Sequence, residues 1–170
     1  KGKLYTNKDS MDLEFKDGLV NGKNIFLEDE FCDEKINKQK KGPILLYNEK
    51  CNLVFDGFYE NGEKTGKGII YKNQYKHYEG YFKNGKKEGK GVEYKLYYGD
   101  QDITKYYDGY FSNDLYNGDG KIFSPKGNIK YSGNFKDGKK EGKGIEYYEN
   151  CYKKYEGTYL NDLFLPYFLY

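Results

Sequence analysis

Glycine recurs every few residues through two nearly identical phrases, YEGYFKNGKKEGKGVEY at residues 78–94 and YSGNFKDGKKEGKGIEY at residues 131–147. A helix tolerates this badly, because each interior glycine destabilises it by about 1 kcal/mol relative to alanine. A pair of strands accommodates it. In an extended chain Tyr78, Gly80 and Phe82 share one face, and Glu79, Tyr81 and Lys83 share the other. Asn61-Gly62, Asn84-Gly85 and Asp137-Gly138 then accept the positive φ angles that a tight turn demands. Beyond the turn, Val92 and Tyr94 fall on one face of a returning strand, repeated as Ile145 and Tyr147 and as Ile69 and Tyr71. Each phrase predicts one β-hairpin.

The same pattern runs along the chain. Phe55-Asp56-Gly57-Phe58-Tyr59, Tyr107-Asp108-Gly109-Tyr110-Phe111 and Tyr155-Glu156-Gly157-Thr158-Tyr159 open further copies, so units start at 55, 78, 107, 131 and 155. In the unit at 107, Asp114 replaces the first loop glycine. The longer step from 78 to 107 is expected to carry a loop insertion around residues 97–107, since loops tolerate added length. Upstream, Phe15, Gly18 and Gly22 mark a worn unit beginning near Met11, and a weaker one ends at Lys41-Gly42-Pro43. One array is therefore expected over residues 1–170. Degenerate repeats occupy about 11–54 and regular ones 55–77, 78–106 with the insertion, 107–130 and 131–154, before a truncated repeat and C-terminal cap at 155–170. The regular sheet is expected from about Phe55 onward. The chain lacks an initiator Met and opens on Lys1-Gly2-Lys3-Leu4-Tyr5, which resembles the tail of a unit, so a fragment of a longer protein is expected.

Strand interiors normally avoid glycine. Yet Gly57, Gly80, Gly109, Gly133 and Gly157 each sit between two aromatic positions of the same face. The expectation is structural: a missing side chain lets a ring from the adjoining strand lie flat over the backbone. Composition agrees, because 22 Tyr and 11 Phe supply more than half of a hydrophobic content of only 36%. Such a chain is expected to bury rings with polar tips in a thin structure.

These phrases closely resemble the MORN (membrane occupation and recognition nexus) repeat, roughly Y-x-G-x-F/W-x-x-G-x-x-x-G-x-G. The resemblance implies an all-β fold, an elongated single-layer antiparallel sheet made as a meander of stacked hairpins. Seven hairpins would contribute about 14 strands, a ribbon of roughly 65 Å at ~4.8 Å per strand. Neighbouring repeats would have to stabilise one another. Pro166 and the apolar residues 163–170 would cap the last hairpin or join another subunit. Leu13 stands where a strand glycine belongs and Asn24 where a loop glycine belongs, and residues 28–41 align only with an inserted pair.

Little in the sequence points to chemistry. The single histidine, His77, has no Ser, Cys or acidic partner at a recognised spacing. The carboxylate pairs Asp29/Glu30 and Asp33/Glu34 read as solvated. GKKEGKG lacks the order of a phosphate loop, and Asp100-Gln101-Asp102 lacks the rest of a calcium loop. Cys32, Cys51 and Cys151 follow no ligand spacing and are expected as free thiols in a reducing compartment. A non-catalytic protein without cofactor or metal is expected.

Binding is the expected role. Lys+Arg 29 against Asp+Glu 27 provides no strong field for nucleic acid. Phe58, Tyr81 and Tyr110, replaced later by Asn134 and Thr158, would line an aromatic trough for a partner helix, an extended peptide or a second copy of the chain. The alternative is anionic phospholipid held by a lysine-rich hairpin edge: Lys83, Lys86, Lys87 and Lys90, repeated as Lys136, Lys139, Lys140 and Lys143. A further alternative is regulation of an enzyme domain absent from this fragment. What the resemblance implies for location is the cytoplasm, peripheral to a membrane or cytoskeletal structure. No apolar run approaches the ~20 residues of a spanning helix.

Overall fold

The computed structural model describes residues 2–5, 10–13, 24–27, 42–48, 50, 52–97 and 103–165. Among these residues the chain forms strands and no helix. In chain order they are β1 (Gly2–Tyr5), β2 (Ser10–Leu13), β3 (Asn24–Leu27), β4 (Gly42–Tyr47), β5 (Leu53–Glu60), β6 (Glu63–Lys72) and β7 (Tyr75–Lys83). Then follow β8 (Lys86–Leu96), β9 (Ile103–Ser112), β10 (Leu115–Phe123), β11 (Ile129–Lys136), β12 (Lys139–Tyr147), β13 (Lys153–Leu160) and β14 (Leu163–Leu165). Strands β4 to β14 pair in sequence order as one open antiparallel sheet, a meander of hairpins.

The start of the chain departs from seven equal hairpins. β1 and β2 make a two-stranded sheet of their own, and β3 joins β4 in parallel, with Asn24 opposite Ile44 and Leu27 opposite Tyr47. A parallel neighbour needs a crossover of about a dozen residues or more, which a two-residue turn cannot provide. The two strands are separated in sequence by residues 28–41, long enough for such a crossover, which is the stretch that aligns only with an inserted pair. The regular meander also begins earlier than Phe55, at β4, where Ile44, Leu45 and Leu46 are buried. The expected insertion is partly strand, because β8 and β9 run on to pair Tyr94 with Lys105 and Leu96 with Ile103. Cys151 is a free, exposed thiol; Cys32 and Cys51 lie outside the described residues, as do Phe15, Gly18, Gly22 and the last five residues.

Contacts divide the chain into two units, Lys1–Lys76 with Phe82–Gly85, and His77–Tyr81 with Lys86–Tyr170. In the first, Phe55 meets Tyr59 and Phe82 edge to face, with centroids 5.5 Å apart in each case. In the second, the rings form a continuous zigzag. Tyr78 meets Phe111 at 5.2 Å, Phe111 meets Tyr107 at 5.2 Å, and Tyr107 meets Phe135 at 5.4 Å. Phe135 then meets Tyr131 at 5.1 Å, and Tyr131 meets Tyr159 at 5.3 Å. All are edge-to-face pairs, each contributing about 0.5–1.5 kcal/mol beyond the area it buries. We call the ring-bearing side the closed face and the opposite side the open face.

The strand glycines admit these rings, though not as expected. The ring over Gly80 belongs to Tyr78 of the same strand, not to an adjoining one. A Cβ on Gly80 would lie 2.3 Å from the Tyr78 hydroxyl oxygen and 2.6 Å from the Cα of Gly91 on β8. The ring thus folds back along its own strand and spans two glycines at once. Its hydroxyl donates to the Tyr81 carbonyl at 3.0 Å, as Tyr107 does to Tyr110 and Tyr131 to Asn134.

Candidate functional site

At the hairpin tips, positive φ at both central residues (Asn84 at 50° and Gly85 at 76°) gives the turn whose twist matches its strands. Each tip is tied to the hairpin before it: the backbone N–H of Gly85 donates to the Lys64 carbonyl, Asp114 to Lys87, Gly138 to Tyr116 and Asp162 to Lys140. Where aspartate replaces the turn glycine, its carboxylate adds a second tie. Asp114 Oδ1 accepts the Lys87 N–H and Asp162 Oδ1 the Lys140 N–H, each at 2.8 Å. Glu88 and Glu141 reciprocate by accepting the N–H groups of Asn113 and Asn161, each at 3.0 Å. The aspartate at 114 is therefore a latch, and the acids of the KKEG phrases complete it.

The eight lysines of the expected edge separate into two kinds. Lys83, Lys86, Lys90, Lys136, Lys139 and Lys143 are exposed. Lys87 and Lys140 instead fold over the closed face. Lys87 is paired with Glu93 and lies 4.8 Å from the Tyr78 centroid; Lys140 is paired with Glu146 and lies 4.7 Å from that of Tyr131. Glu93 also accepts a hydrogen bond from Tyr116 at 2.5 Å, and burial followed by that bond pushes the Tyr116 phenol far above its ordinary range. Carboxylates of Glu88, Asp114, Glu141 and Asp162 share the tips with the exposed lysines, so the row is of mixed sign.

The open face carries the aromatic candidates. Phe58, on the first unit, is 48% exposed; Tyr81 and Tyr110, on the second, are 52% and 48% exposed. Each stands over a glycine of its own hairpin, with Tyr81 Cβ 3.8 Å from a Cβ built on Gly89 and Tyr110 Cβ 3.5 Å from one on Gly118. Asn134 holds that place over Gly142, donating to Asp119 at 2.5 Å. On the second unit a shallow groove of about 340 Å³ runs across the strands, lined by Lys90, Asp108, Tyr110, Asp119, Lys121 and Ser132, with Gly109, Gly120 and Gly133 as its floor. A second hollow of about 500 Å³ continues from Ser132 past Lys143, Ile145 and Glu156.

Of these lining residues only Tyr110, Lys90 and Lys143 were candidates from sequence. Asp108, Asp119, Lys121 and Ser132 were missed, although one signal was available: they are the residues on either side of each strand glycine, which alternation puts on the open face. Among the described residues no group of three or more His, Cys, Asp or Glu is placed to hold a metal, and no helix is long and apolar enough to cross a membrane.

An open meander of hairpins, with rings laid over paired glycines on one face and a polar, ring-studded face opposite, defines a β-hairpin repeat protein. The family model of the MORN repeat matches at four places, residues 55–74, 78–95, 107–129 and 131–150, and the chain belongs to the MORN repeat family. No curated protein matches the chain. Repeats of this family are generally non-catalytic interaction modules, often linked to membranes.

Proposed function

We propose that this chain is a non-catalytic scaffold that captures a helical or extended segment of a protein partner on the open face of its second unit, at a membrane-associated or cytoskeletal structure. The observation that carries this reading is the asymmetry of the sheet. Tyr78, Tyr107 and Tyr131 are 0–1% exposed on the closed face, whereas Tyr81 and Tyr110 stay about half exposed on the open face, Tyr110 lining the groove. Half-exposed tyrosines next to polar groups are the residues that anchor protein contacts. Lys90 and Lys121 alternate with Asp108 and Asp119 around the groove, a mixture suited to a polypeptide and poorly suited to a uniformly anionic surface.

The test is selection of displayed random peptides on the purified chain, followed by affinity measurement on variants. Selected peptides are expected to weaken about tenfold or more on Tyr110→Ala, the loss of one interface anchor. They are expected to be indifferent to Lys86→Glu with Lys139→Glu at the tips. Peptides insensitive to Tyr110→Ala would overturn the reading. Sedimentation with phosphatidylserine vesicles at physiological salt, abolished by the tip substitutions, would put the lysine edge in its place.

A further inference from the structure

The charges beside the groove are spaced, and the spacing identifies a kind of partner. Lys90 pairs across strands with Tyr110, Asp119 with Asn134, and Lys143 with Thr158. These six residues form one row across β8 to β13 on the open face. Its charged members come from β8, β10 and β12 alone, in the order positive, negative, positive. Neutral hydrogen-bonding side chains from β9, β11 and β13 separate them. Among the described residues none of the three has an ion-pair partner, unlike Lys87 and Lys140 on the closed face.

Alternate strands of a sheet lie about 9.6 Å apart. A polyproline II segment advances about 3.1 Å per residue with three residues per turn, so positions i, i+3 and i+6 share one side at about 9.3 Å intervals. A β-strand segment puts i and i+3 on opposite sides. A helix can match the interval only at i+7, and its width of about 10 Å exceeds the roughly 7 Å between side chains two residues apart on one strand, the spacing of Asp108 and Tyr110 along the groove. Exposed Tyr110 within the row adds the aromatic contact that such segments use.

We propose that the open face of the second unit binds a polyproline II segment carrying an acidic, a basic and an acidic residue at i, i+3 and i+6, matched to Lys90, Asp119 and Lys143. This rests on the open-face reading and specifies its ligand. The experiment uses two labelled proline-rich peptides, one with Glu-Pro-Pro-Lys-Pro-Pro-Glu at its centre and one with Lys-Pro-Pro-Glu-Pro-Pro-Lys. Fluorescence anisotropy is read on the 170-residue chain at low and physiological salt.

The first peptide is expected to bind about tenfold or more tightly than the second at low salt, the difference shrinking as salt rises. The variant Lys90→Glu/Asp119→Lys/Lys143→Glu is expected to reverse the preference, an outcome that loss of folding cannot produce. Equal binding of the two peptides, binding of neither, or a preference unchanged in the reversed variant overturns the proposal. Tighter binding of a helical peptide with the same charges at i, i+7 and i+14 overturns it as well. If displayed peptides still depend on Tyr110 in those cases, the open face remains the docking site and only the charge pattern falls.

Discussion

Two kinds of glycine do different work here, and substitution separates them. At Gly80 the backbone is ordinary strand but space is absent, since a Cβ would sit 2.3 Å from the Tyr78 oxygen and 2.6 Å from backbone of the facing strand. Neither neighbour can yield without displacing the ring from its hydrogen bond to Tyr81. At Gly85 space is free, with nothing within 4 Å, but φ is +76°. Gly80→Ala is therefore expected to destabilise by on the order of 3 kcal/mol, as overpacking does. Gly85→Ala is expected to cost about 1–2 kcal/mol, the penalty of a left-handed residue. Urea unfolding followed by circular dichroism ranks the two, and equal midpoints would contradict the packing account of Gly80.

The lysines of one hairpin make the corresponding contrast at the level of the element. Lys87 is a bridge: its side chain is 15% exposed, paired with Glu93 of its own strand and laid over the Tyr78 and Phe111 rings. Its neighbour Lys86 is exposed at the tip. Lys87→Met leaves a covered carboxylate without its cation and is expected to destabilise by roughly 1.5–3 kcal/mol, the range for hydrogen bonds to charged groups. Lys86→Met is expected to stay within about 0.5 kcal/mol. Thermal unfolding of the two variants decides whether the repeated KKEG phrase is partly core. Sequence alone shows the hairpins clearly, because alternation and Asn-Gly pairs are local signals. It does not show Lys87 beside Glu93: alternation puts residues six apart on one face, but a straight strand would hold them about 20 Å apart. Nor does it show Asp114 as a latch, whose partner lies 27 residues away. β4 was hidden by Gly42-Pro43, which reads as a loop, and the parallel pairing of β3 leaves no local mark at all. The open-face rings were legible by alternation, whereas the charged row emerges only when the register aligns β8, β10 and β12.

At the scale of the whole molecule, buried phenols outnumber buried aliphatic side chains among the described residues, and that makes stability sensitive to base. Burial raises the Tyr78, Tyr107 and Tyr131 phenols well above their ordinary range. Tyr159 is pushed up to about 12, by burial first and then by Glu146, and its hydroxyl is buried without a hydrogen-bond partner among the described residues. In the unfolded chain a tyrosine titrates near about 10. The folded state thus holds more protons than the unfolded state above that value, and stability falls as pH rises. For Tyr159 the contribution is complete below about pH 10 and is lost between about 10 and 12. Urea midpoints are expected to decline over that window, with part of the phenolate absorbance appearing only as the strand signal disappears. Phe82, Phe111 and Phe135 occupy the corresponding place in three other hairpins, so Tyr159→Phe keeps the ring and removes the titrating group. This variant is expected to be more stable at neutral pH by about 1 kcal/mol, relieving an unpaired hydroxyl, and to show a shallower decline between pH 10 and 12. A decline as steep as that of the parent chain would mean that Tyr159 is already ionised in the folded state, against the burial that the closed face gives it.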